Sequence, residues 1–299
     1  MKSRWWRWAL LVVGLGVAAV TLQGHLPSPA DAWAALRGAS PAWLLLACAL
    51  SALSMAAFAE QQRHLLSAFG VRMTAPASLA LSYARSAMAA SLPAGSAISA
   101  GYAFRQFRAR GAGPAAAGAV ILLSGVASLA GLALVYMVIE ARWTLWLLAA
   151  VALPLARISR PAVDVDVPPR SGGRLRHVLR LAAAVPPRRW IGVLAIAAFN
   201  WLTDLACLLA AMQAVGLDVP WQSAAIGYLV AQLVRQIPAT PGGVGVIEAA
   251  LVIALTTAGA TAAPAAAAVL IYRVLSCWGV VPIGLACWTA LKAPAPAPA

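Results

Sequence analysis

The stretch Ala239-Thr240-Pro241-Gly242-Gly243-Val244-Gly245-Val246-Ile247-Glu248 breaks an apolar run in the second half of the chain. Its counterpart in the first half is Ser91-Leu92-Pro93-Ala94-Gly95-Ser96. Residues 91–128 slide onto residues 239–276 without a gap, a shift of 148 positions. Pro93 then meets Pro241, Gly95 meets Gly243, Gly111 meets Gly259, Leu122 meets Leu270, Val126 meets Val274 and Ser128 meets Ser276. Each copy reads Pro-x-Gly, an apolar run, Gly-Ala and a long apolar segment. Matched, interrupted hydrophobic segments in the two halves of a membrane chain point to a transporter-like fold and to its binding site.

Composition sets the solvent. The chain is 63% hydrophobic and 10% charged, whereas soluble domains carry about 25% charged residues. Several apolar runs reach the roughly 20 residues needed to cross a bilayer. The expected fold is all-α: a polytopic integral membrane protein with about six full transmembrane helices and two re-entrant helical hairpins. One membrane domain accounts for residues 1–299, with repeat one at about 5–139 and repeat two at about 141–291. A basic cytoplasmic loop is expected at 157–189 and a disordered tail at 293–299. Full spans are expected at about 5–22, 41–61, 114–139, 143–156, 190–215 and 264–291. The broken segments cover 76–104 and 223–258.

Charge sets the orientation. If each broken segment enters and leaves on one side, Lys2, Arg4, Arg7, Arg63, Arg72, Arg105, Arg108, Arg110, the loop arginines and Lys292 share that side, and Arg37 and Arg142 lie opposite. That bias is the positive-inside pattern. It puts both termini in the cytoplasm and makes the hairpins opposite in orientation, so the repeat is inverted. The net charge of +14 then serves the cytoplasmic face and anionic headgroups, not nucleic acid. An Arg-dominated, Ala-rich composition points to a GC-rich bacterial genome and hence to a bacterial plasma membrane.

The chemistry of a Pro-Gly tip follows from its depth. Non-helical backbone survives in a membrane only when buried in protein or lining a wet cavity. The half-helix after the tip starts with free N–H groups and a positive dipole end, which suits a phosphate or carboxylate. Charges inside the membrane are costly and generally face a cavity. The candidate substrate-binding residues are therefore Arg85, Pro93, Gly95, Ser96, Asp204, Arg235, Pro241, Gly242, Gly243, Gly245, Glu248 and Arg273. For Glu248 the competing reading is a structural ion pair with Arg235 or Arg273. Glu60, Arg63 and His64 share one helix face at an interface, where snorkelling explains them. Cys48, Cys207, Cys277 and Cys287 lie in apolar runs and read as small hydrophobes. No HExxH, phosphate loop or GxSxG occurs. Neither an enzyme nor a cofactor or metal is expected.

The run from Arg235 to Ala249, with Gly259 and Tyr272-Arg273, resembles the membrane domain of the lysylphosphatidylglycerol synthase/flippase family. Ser91-Leu92-Pro93-Ala94-Gly95 and Arg105 fit the first-half signature of that domain, and the resemblance extends from about Ala42 to Leu291. It implies movement of an aminoacylated lipid across the membrane. In full-length members a separate soluble domain makes that lipid. No such domain is read in this chain, so synthase activity is not expected. Ala94 departs from the family pattern, standing where a Gly is expected.

The leading expectation is a flippase-like lipid translocase whose partners are anionic or aminoacylated phospholipids. The sequence leaves room for a homo-oligomer and for a separate lipid-modifying enzyme. One rival is a scaffold subunit that recruits such an enzyme through the basic loop. Another is an intramembrane lipid-phosphate enzyme, against which the scattered carboxylates argue.

Overall fold

The computed structural model describes residues 33–34, 36–92, 94–140, 185–235 and 243–292. The spans expected at 5–22 and 143–156, nearly all of the basic loop, the tail, Pro93, Pro241 and Gly242 lie outside them. Among the described residues every regular element is helical. In chain order these are α1 (Pro41–Ala68), α2 (Ala75–Ser91), α3 (Gly95–Arg108), α4 (Pro114–Glu140), α5 (Pro187–Ala214), α6 (Trp221–Arg235), α7 (Val246–Thr257), α8 (Ala262–Arg273) and α9 (Val280–Lys292). A π-helical turn, Val274–Trp278, joins α8 to α9.

Local chemistry explains the bounds. Pro41, Pro114 and Pro187 each open their helix, where a missing N–H costs nothing and a fixed φ is already helical. At the other ends a common closing turn recurs. Gly111 N–H donates to the Arg108 carbonyl and Ala112 N–H to the Phe107 carbonyl; Gly259 and Ala260 do the same to Thr256 and Leu255. Gly70 with Val71, and Gly216 with Leu217, close α1 and α5 identically. Such paired bonds satisfy carbonyls that the helix end would leave open.

The repeat read from the sequence extends to the helix bounds. Shifted by 148, α4 begins at 262, the observed start of α8, and α1 begins at 189, two residues from the start of α5. The α2–α3 pair falls on the α6–α7 pair. The expected spans 41–61 and 190–215 appear as α1 and α5, with α1 running on to Ala68. The expected 264–291 span appears as Ala262–Leu291, continuous across the π turn.

Four described helical segments are long and apolar enough to cross a membrane: Pro41–Ala68, Pro114–Ile139, Pro187–Ala214 and Ala262–Leu291. Their outward faces carry large apolar side chains: Leu45 is 72% exposed and Ile191 64% exposed. Lipid, not water, is the medium such faces fit. This is a polytopic helical membrane protein.

The chain forms two compact units. One gathers the described residues up to Ala52, Ser86–Ser96 and those of Thr203–Ile283. Here Ser40 N–H donates to the Ala214 carbonyl at 2.7 Å, and Gly227 of α6 lies against Ala254 of α7 so closely that a Cβ would collide with it. Ser51 Oγ donates to the Leu275 carbonyl in the π turn at 3.2 Å. Cys207 and Cys277 are buried and Cys48 is exposed; Cys287, which falls in the other unit, is intermediate, and all four are free thiols.

The other unit gathers Leu53–Arg85, the described residues of Ala97–Leu202 and those from Gly284. Small residues let its helices touch. A Cβ on Gly131 of α4 would stand 2.8 Å from Ala197 of α5, and Trp201 Nε1 donates to the Ser128 carbonyl at 2.7 Å. The small face of α4 is thus used within the chain. Gln61 Nε2 donates to the Ser124 carbonyl at 2.9 Å, and Ser54 Oγ to Asn200 Oδ1 at 2.9 Å. These bonds tie α1 to α4 and α5.

Ala94 adopts φ 55°, the left-handed region that costs a side-chain-bearing residue roughly 1–2 kcal/mol. Ala94→Gly should therefore raise stability by up to about 1 kcal/mol, the remainder being lost to the freer unfolded chain. Gly95→Ala should do the opposite, because a Cβ there meets the Met88 and Ala89 carbonyls. Thermal unfolding followed by size-exclusion chromatography in detergent checks both.

Candidate functional site

The second break is built around Glu248. Just before α7 the backbone takes positive φ at Gly243 (68°) and Gly245 (85°), values that glycine adopts without strain. Three residues into the turn, Glu248 Oε2 accepts the Gly245 N–H at 2.7 Å. Its Oε1 accepts Arg273 Nε from α8 at 2.6 Å. Arg273 is 1% exposed, so Glu248 supplies the counter-charge that a buried guanidinium requires. One carboxylate therefore caps α7 and anchors α8. A Cβ on Gly243 would press on Ile247 and lie 3.9 Å from Arg235 Cγ. Arg235 itself, the last residue of α6, is exposed.

The ion pair foreseen as an alternative use of Glu248 is present, with Arg273 as partner. Glu248 also occupies one of the N–H groups at the start of α7 that an incoming anion would otherwise use.

Asp204 lies midway along α5 and is buried. Its Oδ2 accepts Tyr228 OH at 2.7 Å, Tyr272 OH at 2.8 Å and Gln232 Nε2 at 3.3 Å. The two tyrosine rings meet edge to face, 6.4 Å between centroids. Hydrogen bonds from three donors stabilise a carboxylate far from water, and they bind α5, α6 and α8 together. Tyr228 and Gln232, four apart on α6, were not singled out from the sequence. Their i,i+4 spacing places both on one face of α6, but nothing in the sequence says that this face meets Asp204. Tyr272 precedes Arg273, so α8 serves both carboxylates from successive residues.

At the first break Gly95 is buried and Ser96 exposed. Arg85 sits apart from these groups in its contacts: Nη1 donates to Gln62 Oε1 at 2.6 Å, and its guanidinium carbon lies 6.0 Å from the Phe58 ring centroid. The face Glu60-Arg63-His64 carries a local network. Arg63 Nε is 2.7 Å from Glu60 Oε2 and His64 Nε2 3.0 Å from Glu60 Oε1. Exposed pairs of this kind contribute about 0–1 kcal/mol. Among the described residues no three His, Cys, Asp or Glu side chains gather as a metal site.

Of the expected site residues, the structure joins Gly245, Glu248 and Arg273 directly, while Gly243 lies beside Ile247 and the stem of Arg235. Asp204 belongs to a neighbouring cluster linked through α8. Two broken apolar segments in matching places, with carboxylates held among the helices, define a polytopic helical membrane protein with a polar interior. The family model for the lysylphosphatidylglycerol synthase TM region matches residues 6–284, and the chain belongs to that family. Comparison with curated proteins finds no match.

Glu248→Gln should leave the cap acceptor in place but remove the counter-charge of Arg273, at a cost of about 3–5 kcal/mol. The double variant Glu248→Gln/Arg273→Met should recover most of that loss. Tyr228→Phe should cost about 1–3 kcal/mol by taking one donor from Asp204. Thermal unfolding of the three purified variants checks these signs.

Proposed function

We propose that this chain is a lipid translocase of the bacterial plasma membrane. Its cargo would be a phosphate-bearing lipid with an anionic, aminoacylated or glycosylated headgroup. The observation that carries this reading is the matched pair of helix breaks, one repeat apart, in a member of a family whose membrane region serves lipid chemistry.

The lengths around the breaks support re-entrant hairpins. At 1.5 Å per residue, α6 and α7, of 15 and 12 residues, extend about 22 and 18 Å. Neither crosses a hydrocarbon core of about 30 Å alone. The pair α2 and α3, of 17 and 14 residues, is similar. The positive-inside bias then makes each pair enter and leave on one face, with the two hairpins opposed and both termini cytoplasmic.

In this reading the hairpin ends at Gly95–Ser96 and Gly243–Gly245 flank a polar path, and Pro93, Pro241 and Gly242 are assigned to the substrate site on the sequence pattern. The headgroup passes along it while the acyl chains stay in lipid. Glu248 has a positioning role: by holding the Gly245 N–H and Arg273 it keeps the start of α7 in place. Arg235, exposed beside Gly243, is a cation placed to meet a headgroup phosphate there. Asp204 fixes the helices behind the second break. The reading assigns no catalytic group.

Gly243→Leu tests it. The new side chain is strained at φ 68° and strikes Ile247, which closes the turn. Purified protein in proteoliposomes with fluorescent phosphatidylglycerol should expose inner-leaflet lipid to an external quencher, and Gly243→Leu should lose that activity while remaining monodisperse. Equal lipid movement by the folded variant, or none by the unaltered protein with any of the anionic, zwitterionic and aminoacylated lipids, contradicts the proposal.

A further inference from the structure

Among the described residues, Arg85 is a guanidinium without a carboxylate partner. Arg273 has Glu248 and Arg63 has Glu60, but no carboxylate among the described residues lies within ion-pair distance of Arg85. Its Nη1 is engaged with the neutral Gln62, and its Nε is buried with no hydrogen-bond partner. An uncompensated charge in a low-dielectric interior is expensive, and in membrane segments it commonly marks a ligand path.

The neighbours of Arg85 share its deficit. Gln62 is 1% exposed, and because its Oε1 faces the guanidinium its Nε2 is the amide end left over; that nitrogen has no partner. Ser82, one turn before Arg85 on α2, is fully buried, and its Oγ has no partner. Ser78, another turn back, donates to the Ala59 carbonyl at 2.7 Å, which turns this face of α2 toward α1. All of these residues lie in one compact unit. Gln61 Oε1 is likewise unpartnered, but it is an acceptor and suits a hydroxyl.

We propose that Arg85, Gln62 and Ser82 form a phosphate-type oxyanion site. The unused groups are an Arg N–H, an amide NH2 and a hydroxyl, all able to donate. Together with one positive charge they match the oxygens and the charge of a phosphodiester or free phosphate. The neutral Gln at 62 is part of the design: a carboxylate there would pair with Arg85 and close the site to anions. Phe58 covers one face of the guanidinium without consuming a donor. The site deepens the translocase reading, from which it takes only the expectation that the phosphate arrives on a lipid.

Equilibrium binding separates this from packing. The full chain in a phosphate-free maltoside detergent is titrated by calorimetry with dihexanoyl phosphatidylglycerol, with dihexanoylglycerol and with inorganic phosphate. The unaltered protein should bind phosphatidylglycerol and not dihexanoylglycerol. Arg85→Gln and Gln62→Glu should each weaken that binding at least tenfold, and Arg85→Lys should retain part of it. Gln62→Glu keeps the shape and gives Arg85 a partner, so it should fold as well as the unaltered protein. Competition by inorganic phosphate assigns the site to free anion, and its absence assigns it to a lipid headgroup. Unchanged binding in monodisperse Gln62→Glu protein, or equal binding of dihexanoylglycerol, overturns the site. Lipid movement measured in parallel keeps the two ideas apart. Movement with unchanged binding in Gln62→Glu leaves the translocase standing and removes the site. Arg85-dependent binding without any lipid movement does the reverse.

Discussion

A helix interrupted among apolar helices exposes N–H and C=O groups that apolar surroundings cannot satisfy, and the two breaks in this molecule answer that problem differently. At the second break the answer is a side chain. Glu248 takes the Gly245 N–H with one oxygen and Arg273 with the other. Capping and charge compensation thus fall on a single carboxylate. Each need would be costly if met separately, since a buried guanidinium and a free helix end both resist desolvation. At the first break the answer is close packing: Gly95 lies so near the end of α2 that no Cβ fits. Ala94 holds a conformation that its own side chain disfavours.

The polar interior divides by the same logic. The Asp204 carboxylate is closed, with one oxygen satisfied by two tyrosines and a glutamine. The Glu248–Arg273 pair is closed too. Among the described residues the groups around Arg85 are open, with donors unspent and no carboxylate beside them. Closed clusters hold helices in place, as the links between α5, α6 and α8 do. Open ones are where a ligand has something to gain. The π turn after Arg273 adds a local irregularity in α8–α9, with Gly279 N–H reaching back to the Val274 carbonyl at 2.6 Å; such turns recur at functional positions in helices.

Much of the fold was legible in the sequence because it is written in local signals. Proline marks helix starts, glycine marks their ends, and a shift of 148 residues superposes the two halves down to the starts of α4 and α8. The break at 243–245 was visible because glycine is the residue that positive φ demands. The partners of Asp204 were not visible. Tyr228, Gln232 and Tyr272 reach it across three helices, and no periodicity within one helix encodes which neighbour it faces. The pairing of Glu248 with Arg273 rather than Arg235 was undecided for the same reason. The π turn escaped because Val274–Trp278 has the same apolar composition as the helix around it. Arg85 was legible as a charge inside the membrane, but its lack of a carboxylate depends on what packs beside it.

The orientation of the two broken segments is the point on which the account rests, and site-directed labelling measures it directly. With the native cysteines replaced, single cysteines at Thr74 and Ala109 bracket the first pair, and cysteines at Asp218 and Thr261 bracket the second. A membrane-impermeant maleimide applied to intact spheroplasts should label positions 218 and 261. Positions 74 and 109 should react only after permeabilisation. Labelling that places 74 opposite 109, or 218 opposite 261, would show that the broken segments cross the membrane and would contradict the hairpin architecture.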